Sequence, residues 1–355
     1  MADYILIGKL KMKTKIIIYS SIIVVLFNLS CHNNPVAPEE PGRRDYTWTA
    51  DTLQPPYAAF SFYPTRMWGS SESDIWLGGT GGLSLLWHFD GSQWNHIAAY
   101  DGQTSPSAMW GFSSSNIWLG STNEFWRYDG SKWYKYSNIT PPAGYDVTSI
   151  EDIWGSNYYD VWRVGFADQF NGDEYKGVIM HYTGSQWQFM PIPDMRIHFI
   201  SIREQYSTNQ LFLEGWEPEQ TAPDTFKVYL YDRGEKLKEI YSGLYEMALT
   251  EINGQVFFVS QGKIYKILNN KLNLWKDFSE IASGYRITGR SEIDFFLESL
   301  DNGGIFHYNG TDLTQVFPIN TTDYPIVRFI FEKDIFFVCQ NLYTNLITIV
   351  HGKLP

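Results

Sequence analysis

The sequence predicts an all-β fold made of seven similar units, and three observations carry that prediction. The first is a recurrent aromatic anchor: Trp76, Trp118 and Trp162, then weaker copies at Phe212, Phe257, Phe296 and Phe336. Their spacings of 42, 44, 50, 45, 39 and 40 residues suit several short strands per unit. The second is composition. Aromatic residues make up 17% of the chain, and such side chains pack well on a pleated sheet. The third is the absence of clean helical periodicity beyond the N-terminus.

Each unit can be laid out from its second copy. AMWGF (108–112) reads as an inner strand, and SSSN (113–116) as a turn whose side chains bond their own backbone. IWLGS and EFWRY follow as strands. Asp129-Gly130 makes a hairpin turn of the favoured kind, and KWYKY (132–136) is the fourth strand. Equivalent turns recur at Asp90-Gly91, Thr183-Gly184 and Asn309-Gly310. Four antiparallel strands make a blade, and seven such blades make a β-propeller.

The ends complete the pattern. The last unit runs through NLITIVHGKLP and stops after its third strand. YTWTADTL (Tyr46 to Leu53) supplies the missing fourth, with Trp48 matching Trp94, Trp133 and Trp187. The expected domain is therefore residues 45–355, a seven-bladed ring whose last blade is closed by the N-terminal strand, paired around Leu346 to Val350. Closure of this kind removes free sheet edges.

Ahead of the domain, Lys13 and Lys15 precede an apolar run from Ile16 to Phe27, and Ser30-Cys31 follows. The run is too short to span a bilayer and suits a signal peptide over residues 1–30, with Met12 the better start. Its end resembles a bacterial lipoprotein lipobox, departing from it at Asn28. That resemblance implies a lipid on Cys31, a tether over 31–44 and an outer-membrane lipoprotein of the cell envelope, periplasmic or surface-exposed.

Trp68-Gly69-Ser70-Ser71, Asp74-Ile75-Trp76 and Asp90-Gly91-Ser92-Gln93-Trp94 are repeated with variation in the next two units. This text resembles a family of bacterial envelope β-propellers, kelch-like and Asp-box-like in style. The match is strong in the first three units and blurred in the last four. Some chains of this look are labelled glucosyltransferases.

The formal net charge of −12 disfavours nucleic acid and anionic membrane as partners. With Cys31 acylated, Cys339 stands alone in the apolar run IFFVC and reads as a buried, inert thiol. Gly78-Gly79-Thr80-Gly81-Gly82 opens no helix and precedes no Lys-Ser or Lys-Thr, so it reads as a turn and not a phosphate loop. His88, His181 and His307 share one repeat position in different blades, and neither HExxH nor CxxC occurs, so no metal site is expected. There is no GxSxG. Arg127, Arg163, Arg203, Arg286, Arg290 and Arg328 are not tied together by local text, and no βαβ alternation suggests a nucleotide domain.

What departs from the repeat is left for function. The third unit carries GFADQFNGDEYKG (165–177) and the fourth EGWEPEQTAPDTF (214–226), read as insertions on one face of adjacent blades. Tyr175 and Trp216 would offer flat apolar surfaces, and Asp168, Asp173 and Glu174 would offer carboxylates. Calcium is the cofactor such carboxylates would suit, although the spacing does not match the EF-hand loop. The expected function is a monomeric binding or scaffold propeller that recognises an envelope protein or a glycan. The alternative is a carbohydrate-active enzyme, either a glycoside hydrolase or lyase or a glucosyltransferase. A tight carboxylate pair or an arginine cluster in the channel would favour that alternative.

Overall fold

The computed structural model describes residues 40–53, 62–81, 86–97, 105–172, 174–218, 223–233, 236–299, 303–320 and 322–355. The leader, Cys31 and most of the tether lie outside these residues, as does Asp173. The described strands form seven four-stranded antiparallel sheets. The fold is a seven-bladed β-propeller. Blades 1 to 6 use four consecutive strands each, starting at Tyr63, Ala108, Val147, His198, Ala248 and Ile287. Blade 7 takes Asp323–Ile330, Asp334–Asn341 and Ile347–Lys353 and completes itself with Thr47–Thr52. The closing strand runs from Thr47 opposite Lys353 to Thr52 opposite Thr348.

The first strand of every blade contacts the first strand of the next, and that of blade 7 contacts that of blade 1, so these strands ring the central axis. Packing follows the same circle. Seven apolar clusters lie among the described residues, one between each pair of neighbouring blades. An open row of seven blades has only six such interfaces. The seventh joins Val327, Phe336 and Val338 of blade 7 to Met67, Ile75 and Leu77 of blade 1.

The aromatic anchors are the cores of these interfaces. All seven are at most 3% exposed, which leaves no ring face for a ligand. Each lies directly opposite a residue of the third strand: His88, Arg127, His181, Leu230, Lys266, His307 and His351. Where that residue is histidine, its ring stacks on the anchor at 4.2, 3.8, 4.4 and 4.1 Å in blades 1, 3, 6 and 7. Its Nε2 then meets the aspartate that starts the second strand, at 2.6–2.7 Å, pairing with Asp74, Asp160, Asp294 and Asp334. Blade 2 makes the same link with different chemistry, as Arg127 Nε donates to Asn116 at 3.2 Å. The repeated histidines are staples within blades, and His351 is a fourth that the repeat text does not reveal.

The Asp-Gly-Ser-x-Trp text is turn chemistry. Asp90 accepts from the Ser92 and Gln93 amides at 2.9 and 3.0 Å, and Asp129 accepts from Ser131 and Lys132 at the same distances. Gly91 and Gly130 follow at φ of 91° and 94°, a region that side chains rarely adopt. The glycine run at 78–82 differs from expectation. Gly78 and Gly79 belong to the strand Asp74–Thr80 rather than to a turn. The reason is a close approach: a Cβ on Gly79 would meet the Phe62 ring at 2.3 Å and the Tyr63 carbonyl at 2.5 Å.

Cys339 is free and buried, and burial pushes its thiol up, which keeps it unreactive. Arg163 is fully buried with its guanidinium 3.4 Å from the Phe125 ring centre and 3.8 Å from that of Trp187. It joins blades 2 and 3 by packing and does not face the channel.

Candidate functional site

Within a blade, the first strand starts and the second strand ends at the same face. The turns between second and third strands therefore share that face with the connections between blades. The described residues of 165–177 and 214–226 lie there. They are less inserted than the sequence suggests, because strand structure continues far into both. Asp160–Asp168 pairs with Tyr175–Tyr182, and Gln210–Glu217 pairs with Thr225–Tyr231. Among the described residues of these two stretches, only 169–172, 174, 218, 223 and 224 lie outside the strands, at the tips.

These hairpins meet around His198, the first residue of the inner strand of blade 4. Phe166 stacks on the His198 ring at 3.7 Å and 4°. Tyr175 and Trp216 stand edge-on to it at 4.6 and 5.1 Å. Tyr175 also donates from its hydroxyl to the Pro218 carbonyl at 3.3 Å, which ties the two tips together. Burial lowers His198 to about 4, with Asp168 opposing, so the ring is neutral near pH 7. Arg196 lies over the Tyr175 ring at 4.4 Å and within 4.0 Å of Glu174. Tyr175 is only 8% exposed, so its flat face is taken by Arg196 and not open to a sugar. Trp216 is half-buried. One oxygen of Asp168 is buried and meets no hydrogen-bond donor among the described residues.

Beside this cluster Phe170 is 81% exposed, and its amide donates to Asp146 at 3.0 Å. It is the open apolar element of the tip, and sequence reading missed it. No group of His, Cys, Asp or Glu among the described residues could hold a metal ion.

The channel mouth on the same face holds a second feature that sequence did not assemble. A cavity of about 470 Å³ is lined by Thr65, Arg66, Ser107, Ser149, Glu151 and Arg286, among others. Asp152 lies below it, buried, between Arg203 and Arg66, and it also accepts from the Ile202 amide at 3.1 Å and Ser201 at 3.2 Å. Burial pushes its carboxyl up, but Arg203 and Arg66 outweigh this and hold it below the ordinary range. Arg328 is paired with the buried Glu298. The arginine cluster is thus real, but two of its carboxylates are locked in ion pairs that link blades. Arg127, Arg163 and Arg290 belong to blade packing instead.

Glu214 is the exception. It reaches from blade 4 to accept from the Leu249 amide of blade 5 at 2.9 Å, while its other oxygen is buried and meets no hydrogen-bond partner among the described residues. Burial raises it to about 7 from 4.5, with Arg286 opposing. A raised carboxyl favours the folded state in its protonated form. That contribution is full below about 4.5 and is lost as pH rises through about 7. Glu214→Gln should therefore melt like the parent at pH 4.5 and above it at pH 8, by on the order of 3 kcal/mol. Melting curves at the two pH values check this; a gap independent of pH contradicts it.

No protein-family model matches the chain, and no curated protein matches it in sequence. Solved structures do match in fold. One is YCF48 bound to a D1 peptide, at 14% identity over 88% of this chain and 99% of that one, TM-score 0.58. Another is a catalytically inactive virginiamycin B lyase from Staphylococcus aureus with quinupristin, at 15% identity over 87% and 100%, TM-score 0.61. A third is the WD40 propeller domain of Doa1, at 12% identity over 87% and 97%, TM-score 0.54. At such identities the likeness speaks to the fold alone.

Proposed function

We propose that this chain is a cell-envelope lipoprotein whose propeller binds a protein ligand on the face where the strands Asp160–Asp168 and Gln210–Glu217 end. The observation that carries the reading is the convergence of Phe166, Tyr175 and Trp216 on a neutral His198, with Phe170 exposed beside them. A rigid aromatic base with one free ring and a charged rim formed by Arg196 and Glu174 suits a protein side chain. A glycan has weaker support, because the Tyr175 face is already covered by Arg196. Propellers that hold a peptide, as the YCF48 structure does, give the reading precedent in this fold. Lipid attachment at Cys31 rests on the leader text alone.

A carbohydrate-active enzyme is the second reading, and the channel arginines with a partly unpaired Glu214 favour it. Against it, Asp152 and Glu298 are engaged by arginine and not free to carry protons.

Two arms test the proposal. Cys31→Ala should move the protein from the membrane fraction to the soluble fraction; retention in the membrane overturns the lipid anchor. Phe170→Ala should weaken capture of the envelope partner at least tenfold while the melting temperature stays put, since the ring is exposed. Trp216→Ala should weaken capture too, at some cost in stability because it packs on His198. Undiminished capture by both variants places the ligand elsewhere.

A further inference from the structure

The cavity at the channel mouth has two chemically opposite ends, Arg286 and Glu151, and neither makes an ion pair among the described residues. Three arginines approach the axis there. Arg66 spends its guanidinium on Asp152 at 3.4 Å, on the Thr65 carbonyl at 2.9 Å and on the carbonyls of Glu151 and Ile200. Arg328 is paired with Glu298. Arg286 has no ion pair among the described residues, and its hydrogen bond is a long one, 3.4 Å to the Ile326 carbonyl. Glu214 feels the charge of Arg286 without forming an ion pair with it, so this half-buried guanidinium, which lines the cavity, keeps its hydrogen-bonding capacity for an incoming anion.

The side formed by blades 1 to 3 asks for the reverse. Thr65 donates its hydroxyl proton to the Pro106 carbonyl at 2.6 Å, Ser107 to the Ile150 carbonyl, and Ser121 to the Ser105 carbonyl at 3.0 Å. With their protons spent on backbone, these hydroxyls show the cavity lone pairs only. Glu151 lines the same wall; burial pushes its carboxyl up, with Arg66 opposing, and that carboxyl makes no ion pair among the described residues.

We propose that the channel mouth binds a small zwitterion, a free amino acid or short peptide, with Arg286 receiving the carboxylate and Glu151 and the neighbouring hydroxyls receiving the ammonium group. A neutral polyol satisfies the hydroxyls and leaves Arg286 unpaired. A uronic acid satisfies Arg286 and offers Glu151 no cation. The cavity has the size usual for small-molecule sites. The site shares no residue with the His198 cluster, so it stands or falls apart from the protein ligand proposed above.

The test is calorimetric titration of the full-length protein with L-alanine, dialanine and trialanine, a ladder that changes only the separation of the charges. N-acetylated and C-amidated forms of each, and glucuronate, complete the panel. One rung should bind, and capping either end should weaken it at least tenfold. Which rung binds separates a free amino acid from a peptide. Arg286→Gln should remove the difference between free and amidated forms, and Glu151→Gln the difference between free and acetylated forms. If Arg286→Gln does not fold, Arg286→Lys should still bind the free form, and Glu151→Gln remains a separate readout. Absence of binding across the ladder, indifference to both caps, or binding of glucuronate in place of the ladder overturns the proposal.

Discussion

Removing the strand Thr47–Thr52 should open the ring, and a chain that begins after Leu53 should lose its cooperative melt and aggregate. The strand contributes six residue pairs to the outer edge of blade 7. Without it, Ile347–Lys353 becomes an unpaired edge, the kind of surface that recruits other chains. More is lost than backbone pairing. Tyr46 and Trp48 pack into the interface between blades 6 and 7, where Trp48 meets Phe317 at 5.4 Å and Phe296 and Phe337 at 6.5 Å. Trp48→Ala alone should cost about 3 kcal/mol, the range for truncating a packed aromatic. Calorimetry with light scattering checks both. A truncated chain that melts like the parent removes the closure account.

Asp152→Ala should be among the most damaging single substitutions in the channel. It leaves Arg203 and Arg66 facing each other without their shared carboxylate and strips the Ile202 amide of its acceptor. Breaking a buried ion pair from one side costs about 3–5 kcal/mol. The parent should show the matching acid sensitivity. A carboxyl held below its unfolded value stabilises the fold above that value, 3.8, and this support is lost as pH falls through the depressed folded one. Chemical denaturation at pH 7 measures the substitution; a loss under 1 kcal/mol contradicts a bridging role.

Much of the fold was legible because blade cores repeat. Trp76, Trp118 and Trp162 recur in near-identical text, and the turn at Asp90-Gly91-Ser92 recurs because its hydrogen bonds demand those residue types. The staple was only half visible. Asp74 lies 14 residues before His88, Asp160 lies 21 before His181 and Asp334 lies 17 before His351. Hairpins of different length hide a constant cross-strand register. The channel was not legible at all. Arg66, Glu151, Arg286 and Arg328 come from four blades, and an axis shared by seven units needs no residue to recur. The candidate face was partly readable: Tyr175 and Trp216 do converge, but on His198, whose place between two hairpins only the register reveals. The carboxylates fared differently, since Glu174 turns to Arg196 and Asp168 is partly buried.

The claim that the ligand binds on one named face can be measured by position. Phe170 is 81% exposed on that face, and Tyr159, in a turn between first and second strands, is 60% exposed on the opposite one. A photoreactive phenylalanine at residue 170 or at residue 159 of the full-length protein, irradiated in cells, reports which surface touches a partner. The account predicts a discrete cross-linked protein from position 170 and none from position 159. Adducts from position 159 alone, or equally from both positions, contradict it.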